Sequence, residues 1–248
     1  MRVDISNLRH LEREIACALM QTSAAASRLS ADYLQQLASL MGQNMIQQGP
    51  GKRLQRARIH DNGFLKLLAV NGDEWEDDSL NGYRLVLHIW DTSIDAASVE
   101  NVHNHRWPFW STSVCGRLGW EHYTVSSESG PDPTHWRFRY ASPGSADSYS
   151  MISVGPAVLA RSFKAAVERG TSIAMECHEL HRVQRLGSSP AATIVLQGRP
   201  IREETDVFAN YDGIDEREEP LKKIAVKLQT CSPAETATLL DSIIHSTP

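Results

Sequence analysis

The chain has 248 residues, enough for one sizeable core with helical additions, and its 41% hydrophobic and 22% charged content is that of an ordinary globular protein. A net charge of −5 provides no broad basic field to attract phosphate and so excludes a nucleic-acid binder as the first expectation. No apolar run approaches the roughly 18 residues that a membrane span needs.

At the N-terminus, the charged stretch from Asn7 to Glu14 is too polar for a signal-peptide core. Cys17, Cys115, Cys177 and Cys231 are scattered without a CxxC pair and read as free thiols in a reducing compartment. The expected location is therefore cytoplasmic. Leu8, Leu11, Ile15, Ala18 and Leu19 keep a 3.6-residue rhythm, as do Tyr33, Leu34, Leu37, Leu40 and Met41. Residues 1–50 are thus expected to form a helical extension, ended by Gly49-Pro50-Gly51.

From residue 56 the pattern changes to short runs rich in Val, Ile, Leu and aromatics. Strands are predicted at 64–70, 83–90, 109–114, 120–125, 135–140, 149–154, 158–163, 172–176, 181–186 and 193–197. Asn71-Gly72, Asn81-Gly82, Ser129-Gly130-Pro131 and Ser142-Pro143-Gly144 punctuate them as turns. This spacing predicts a mainly β antiparallel sandwich or barrel over 56–202, with the helical layer outside it. Residues 203–248 are expected to be an acidic loop and a short C-terminal helix. There, Ser232 supplies an N-cap, Pro233 the first turn and Glu235 a capping-box partner.

The chemistry concentrates in Val102-His103-Asn104-His105 and in His178-Glu179-Leu180-His181-Arg182-Val183. Histidines at i and i+2 of an extended segment share one face, with Cα atoms roughly 6.5–7 Å apart, so both rings can reach one metal ion. A third ligand from the downstream segment would complete a mononuclear site. His178 and His181 compete for that place, because positions i and i+3 of a strand face opposite ways. Glu176 or Glu179 would instead give a two-histidine, one-carboxylate triad. Imidazole ligands suit iron, copper, zinc or nickel, so ligand type alone does not name the metal.

Gly116 follows His105 after ten intervening residues, as His103-x-His105-(10)-Gly116. This resembles the first motif of the cupin superfamily, in which HxH precedes a ligand glutamate and then a glycine. Here Phe109 occupies the glutamate's place, with Trp110 beside it. A cupin with three histidines and no glutamate resembles the cysteine-dioxygenase branch, whose iron is held by three histidines. The run Gly82-Tyr83-Arg84-Leu85-Val86-Leu87-His88-Ile89-Trp90 is similar to that branch's strand before HxH, and Leu180-His181-Arg182-Val183 to the segment carrying its third histidine. The likeness spans residues 64–200 loosely.

The resemblance implies a cupin-type double-stranded β-helix (jelly roll) binding Fe(II) through His103, His105 and His181, with dioxygen as co-substrate and a homodimer as the assembly. It favours His181 over His178. It places Lys66 where a carboxylate-binding arginine falls in the family. The family's Ser-His-Tyr triad is missing from Thr193-Ile194-Val195-Leu196-Gln197, so the implied substrate is a small metabolite, carboxylate- or amine-bearing, other than cysteine. Arg106 beside the ligands is a candidate for neutralising a carboxylate substrate. Trp107 or Trp110 is expected to wall an apolar pocket, and Tyr123 to donate a proton if it faces inward. A non-redox metal cupin (isomerase, lyase or hydrolase) and a non-catalytic ligand-binding cupin are the alternatives.

Overall fold

The structure, a computed structural model, describes residues 57–60, 62–71, 73, 81–94, 100–126, 134–141, 148–210, 224–227 and 229–245. The expected N-terminal helices lie outside the described residues. The elements are β1 (Ala57–His60), β2 (Phe64–Asn71), β3 (Arg84–Trp90), β4 (Val102–His103), β5 (Phe109–Cys115), β6 (Arg117–Val125), β7 (His135–Ala141), β8 (Ser148–Ala157), β9 (Leu159–Glu168), β10 (Ser172–Met175), β11 (Leu180–Arg185), β12 (Ala191–Gln197), β13 (Glu204–Asn210), β14 (Ile224–Lys227), β15 (Gln229–Thr230) and a helix, α1 (Pro233–His245).

These strands make two antiparallel sheets, ordered β10-β5-β12-β3-β2-β1-β15 and β14-β8-β7-β13-β4-β11-β6-β9. Pairing is nested, β4 with β13, β5 with β12 and β6 with β11, and the chain alternates between the sheets from β3 to β6 and from β9 to β13. That winding is consistent with the expected jelly roll.

The first sheet is buried on both faces, which is why β3 reads almost continuously apolar. Phe64, Val86, Trp90, Ala191 and Val195 face the second sheet and pack with Trp120, Leu118 and Val183. Leu65, Leu67, Leu85, Leu87, Ile89 and Ile194 face the other way, against Leu239 and Ile243 of α1. The expected cap of α1 forms: Glu235 N–H donates to Ser232 Oγ at 3.2 Å and Ser232 N–H to a Glu235 carboxylate oxygen at 2.8 Å.

All ten predicted strands are present, with ends shifted by a few residues. The sequence pattern stops the sheets at 202, yet β13 follows directly. Its alternation of small and polar residues around Val207 and Phe208 gives a weak strand signal. Its pairing with both β4 and β7 makes it central to the second sheet.

Gly116 turns the chain between β5 and β6 at φ 69°, and a Cβ there would lie 2.2 Å from the Pro190 carbonyl oxygen. Gly187 also has positive φ, at 84°, but open space around it. Gly116→Ala is expected to destabilise by about 3 kcal/mol or more, and Gly187→Ala by only about 1–2 kcal/mol of backbone strain, as read from urea unfolding.

Candidate metal centre

The second sheet carries one row of side chains that decides the site. His103 on β4 pairs with His181 on β11, and His181 pairs in turn with His122 on β6. Cross-strand partners share a face, so His103 and His181 project together between the sheets. Their ring centres are 4.6 Å apart. β4 ends at His103, and the chain then turns His105 into the same space, 4.9 Å from His103 and 5.1 Å from His181 between ring centres. The three can each offer one ring nitrogen, and those atoms lie within 4.8 Å of one another.

The turn is pinned through the intervening residue. Asn104 N–H donates to the Asp206 carbonyl at 3.1 Å, Asp206 N–H donates to Asn104 Oδ1 at 2.7 Å, and His105 N–H donates to the Cys177 carbonyl at 3.1 Å. Asp206 is in turn held by Arg137, at 2.9 Å, and by Arg202, at 3.6 Å. Burial alone would raise the Asp206 carboxyl; hydrogen bonding and charge from Arg137 overcome this and hold it below its usual range.

Burial also sets the protonation of the ligands. Desolvation pushes His103 down to about 4 and holds His105 and His181 well below the ordinary imidazole range. Neutral imidazoles keep the lone pairs that a metal requires. His103 Nδ1 lies 2.9 Å from the Asn101 carbonyl, which fixes that nitrogen as the proton carrier and leaves Nε2 for the site. Three neutral, convergent imidazoles, two buried and His105 half-buried, fit a metal ion.

Phe109, at the position where a glutamate was expected, sets its ring edge-on to His105 at 4.8 Å. Trp120 stacks on His181 at 5.3 Å with planes 7° apart, and its indole N–H donates to His122 Nε2 at 2.8 Å. The cavity in front of the imidazoles, about 50 Å³, is also lined by His60, Phe64, Lys66, His88, Trp90, Glu100, Trp107 and Thr193.

Of the residues proposed from sequence, His103, His105, His181 and Lys66 come together in this cavity. His178 is exposed. Glu179 turns back, its carboxylate accepting from Glu176 N–H at 2.6 Å. Tyr123 does not face inward: it pairs with Leu180 one place along from the histidine row, and its hydroxyl donates to Glu121 at 2.6 Å. Burial and that hydrogen bond push the Tyr123 phenol up to about 12. Trp110 alternates with Phe109 and faces away from the cavity. Arg106 is not part of the lining; its guanidinium stacks 5.1 Å over Trp107.

Glu100 and His60 join the site without having stood out in the sequence, and His88 and Trp90, quoted there only for the resemblance of their strand, join it as well. His88 and Trp90 share the inward face of β3, a period-2 signal that the sequence does carry. Glu100 has none, because it lies in a loop. Its carboxyl accepts from Asn62 Nδ2 at 3.2 Å and from Val183 N–H, and it sits 4.0 Å from His103 Nδ1. Burial pushes it up to about 8 against those hydrogen bonds.

No protein-family model matches this chain, and no curated protein matches it in sequence. Among solved structures, it is similar to the hydroxypropylphosphonic acid epoxidase from S. wedmorenis, at 10% identity and TM-score 0.35, over 60% of this chain and 57% of that one. It is also similar to hydroquinone 1,2-dioxygenase from Sphingomonas sp. TTNP3, at 11% and 0.27, over 49% and 62%. A third is the L-ribose isomerase from Cellulomonas parahominis, at 12% and 0.30, over 84% and 92%. The chain thus spans less than two thirds of the epoxidase and the dioxygenase. Overlaps this partial fix neither a family nor an activity for it.

Two outcomes follow. His181→Ala is expected to lose at least about tenfold in affinity for Fe(II) or Zn(II), whereas His178→Ala keeps one equivalent through desalting, measured by elemental analysis. Burial, with Arg58, Arg84 and Arg106 nearby, pushes Lys66 down to about 7. The unfolded chain therefore binds one more proton between about pH 7 and 10, and the penalty is full below pH 7. Lys66→Met is expected to raise the thermal midpoint of metal-free protein by roughly 3–10 °C at pH 7, the gain shrinking towards pH 10 in calorimetric scans.

Proposed function

We propose that this protein is a mononuclear metal-dependent oxidoreductase that uses dioxygen to oxidise a small metabolite, with Fe(II) as its metal. The observation carrying this reading is the cluster of His103, His105 and His181, with ligand atoms within 4.8 Å of one another, in a cavity between the sheets. Iron(II) held there would supply redox chemistry and open positions at which an organic substrate and dioxygen meet.

The chain's own residues do the rest. Phe109 and Trp120 hold the rings of His105 and His181 in place by edge and face contact. Phe64, Trp90 and Trp107 wall the space with apolar surface that restricts water. Lys66 reaches the cavity from the opposite sheet and contacts the substrate.

Lyase, isomerase or hydrolase chemistry needs a proton acceptor poised near neutral pH. Among the described residues, the only carboxyl in the lining is Glu100, whose oxygens already accept from Asn62 and Val183. The lining histidines His60 and His88 are driven well below their usual range by burial. Lys66 and Glu100, which burial brings to about 7 and about 8, are the lining groups placed to exchange a proton near neutral pH, so a non-redox isomerase, lyase or hydrolase is the second reading.

The test is elemental analysis of protein purified without nickel resin or chelator, followed by oxygen-electrode assays of the Fe(II)-loaded protein against a small-metabolite panel. About one iron per chain and substrate-dependent oxygen uptake, reduced at least about 10³-fold in His105→Ala, is the expected result. Turnover that continues without oxygen would assign the site to a non-redox enzyme, and ligand binding indifferent to all three histidines would make it a binding protein.

A further inference from the structure

The wall of the cavity opposite the imidazoles carries polar groups that the metal reading leaves unused. Lys66, His88 and Thr193 are cross-strand neighbours on β2, β3 and β12, and all three line the cavity. Trp90, two residues beyond His88, lines it as well, and Trp107, from the loop after His105, lines it between the two sides, its ring centre 5.8 Å from that of His105. The indole N–H groups of Trp90 and Trp107, His88 Nε2 and Thr193 Oγ1 are all buried without a hydrogen-bond partner among the described residues. Lys66 likewise has no ion pair or hydrogen bond among them; Trp107 is its aromatic neighbour, with the ring centre 6.0 Å from Nζ. Glu100, the one lining carboxyl among the described residues, is already engaged by Asn62 and Val183.

The chemistry of these groups is one-sided. The two indole N–H groups only donate, as does Lys66 in its protonated form. Each donor left unmatched costs about 1–3 kcal/mol, so the natural occupant of this wall is rich in acceptors. Water would satisfy the indoles; burial lowers Lys66 to about 7 in the empty cavity, and an anion beside it would favour its ammonium form. Three neutral imidazoles around a divalent ion add positive charge that no described side chain in the lining offsets. An amine-bearing ligand would add a further cation in a low-dielectric space, next to Lys66.

We propose that this wall is an oxyanion subsite, in which Lys66, Trp90 and Trp107 together hold the carboxylate of a small organic acid while its far end faces His103, His105 and His181. The proposal rests on the metal reading only for the identity of the reacting end. It excludes amine substrates, and His88 and Thr193 supply the mixed donor–acceptor edge of the same subsite.

The test is calorimetric titration of benzoate, benzamide, benzylamine and the smaller propanoate into metal-free and zinc-loaded protein. A carboxylate is expected to bind both forms at least about tenfold more tightly than the matched amide, with benzylamine silent. Lys66→Met is expected to erase that preference. Trp90→Phe and Trp107→Phe, which keep a ring and delete only the N–H, should each weaken carboxylate binding by about three- to tenfold, so a poorly folded Lys66 variant does not decide the matter. Equal affinity for acid, amide and amine overturns the proposal, as does a preference that survives Lys66→Met. So does failure of both benzoate and propanoate to bind at about 10 mM. If zinc does not bind but the Lys66-dependent preference remains, the metal reading falls and the subsite stands. If one zinc binds and that preference is missing, the subsite falls and the metal reading stands.

Discussion

The register of β4 between β11 and β13 is the constraint on which the site depends. A two-residue strand could slip easily, and a slip of one residue would turn His103 away from the cavity and bring Val102 into it. Four backbone and side-chain contacts between Asn104, His105, Cys177 and Asp206 forbid that slip. The residue between the two histidines thus has a structural task. Asn104 is buried because its amide bonds both the main chain and the carboxylate of Asp206.

Behind that clamp, the second sheet keeps its charges on the face away from the imidazoles. Asp206 meets Arg137, Arg139 and Arg202, and Glu121 meets Arg161, Lys164 and Arg182. Burial would raise Glu121, but hydrogen bonds from Tyr123, Lys164 and Arg182 hold it at about 2. These carboxylates are fully matched, whereas several cavity donors are not. A chain that satisfies buried charge on one face and leaves donors idle on the other carries its local instability in the cavity.

The candidate metal ligands come from the second sheet and the chain just after β4, the donor row from the first sheet, and the aromatic packing around the imidazoles from both. Trp120 and Phe109 grip imidazole rings from β6 and β5, and Lys66, His88 and Thr193 form a row across β2, β3 and β12. The space between the sheets therefore has a polarity of its own, lone pairs on one side and hydrogen-bond donors on the other. A small molecule bound there would be oriented by both walls at once.

Period-2 spacing is enough to read His103 and His105 as one pair and to find most strands, and capping chemistry places the helix after Ser232, because those signals are local. No described helix is long and apolar enough to cross a membrane. His181 is favoured over His178 at the level of sequence only by resemblance, and the pairing of β11 with β4 supplies the physical reason; demoting Tyr123 needs the register of β6. Glu100 and the β13 clamp have no legible signal, since a loop carboxyl and a short, polar strand look like surface until other strands close over them. Residue order thus determined which side chains could share a face. Only the tertiary structure decided which faces meet, because strands distant in the chain become neighbours through pairing that no local pattern encodes.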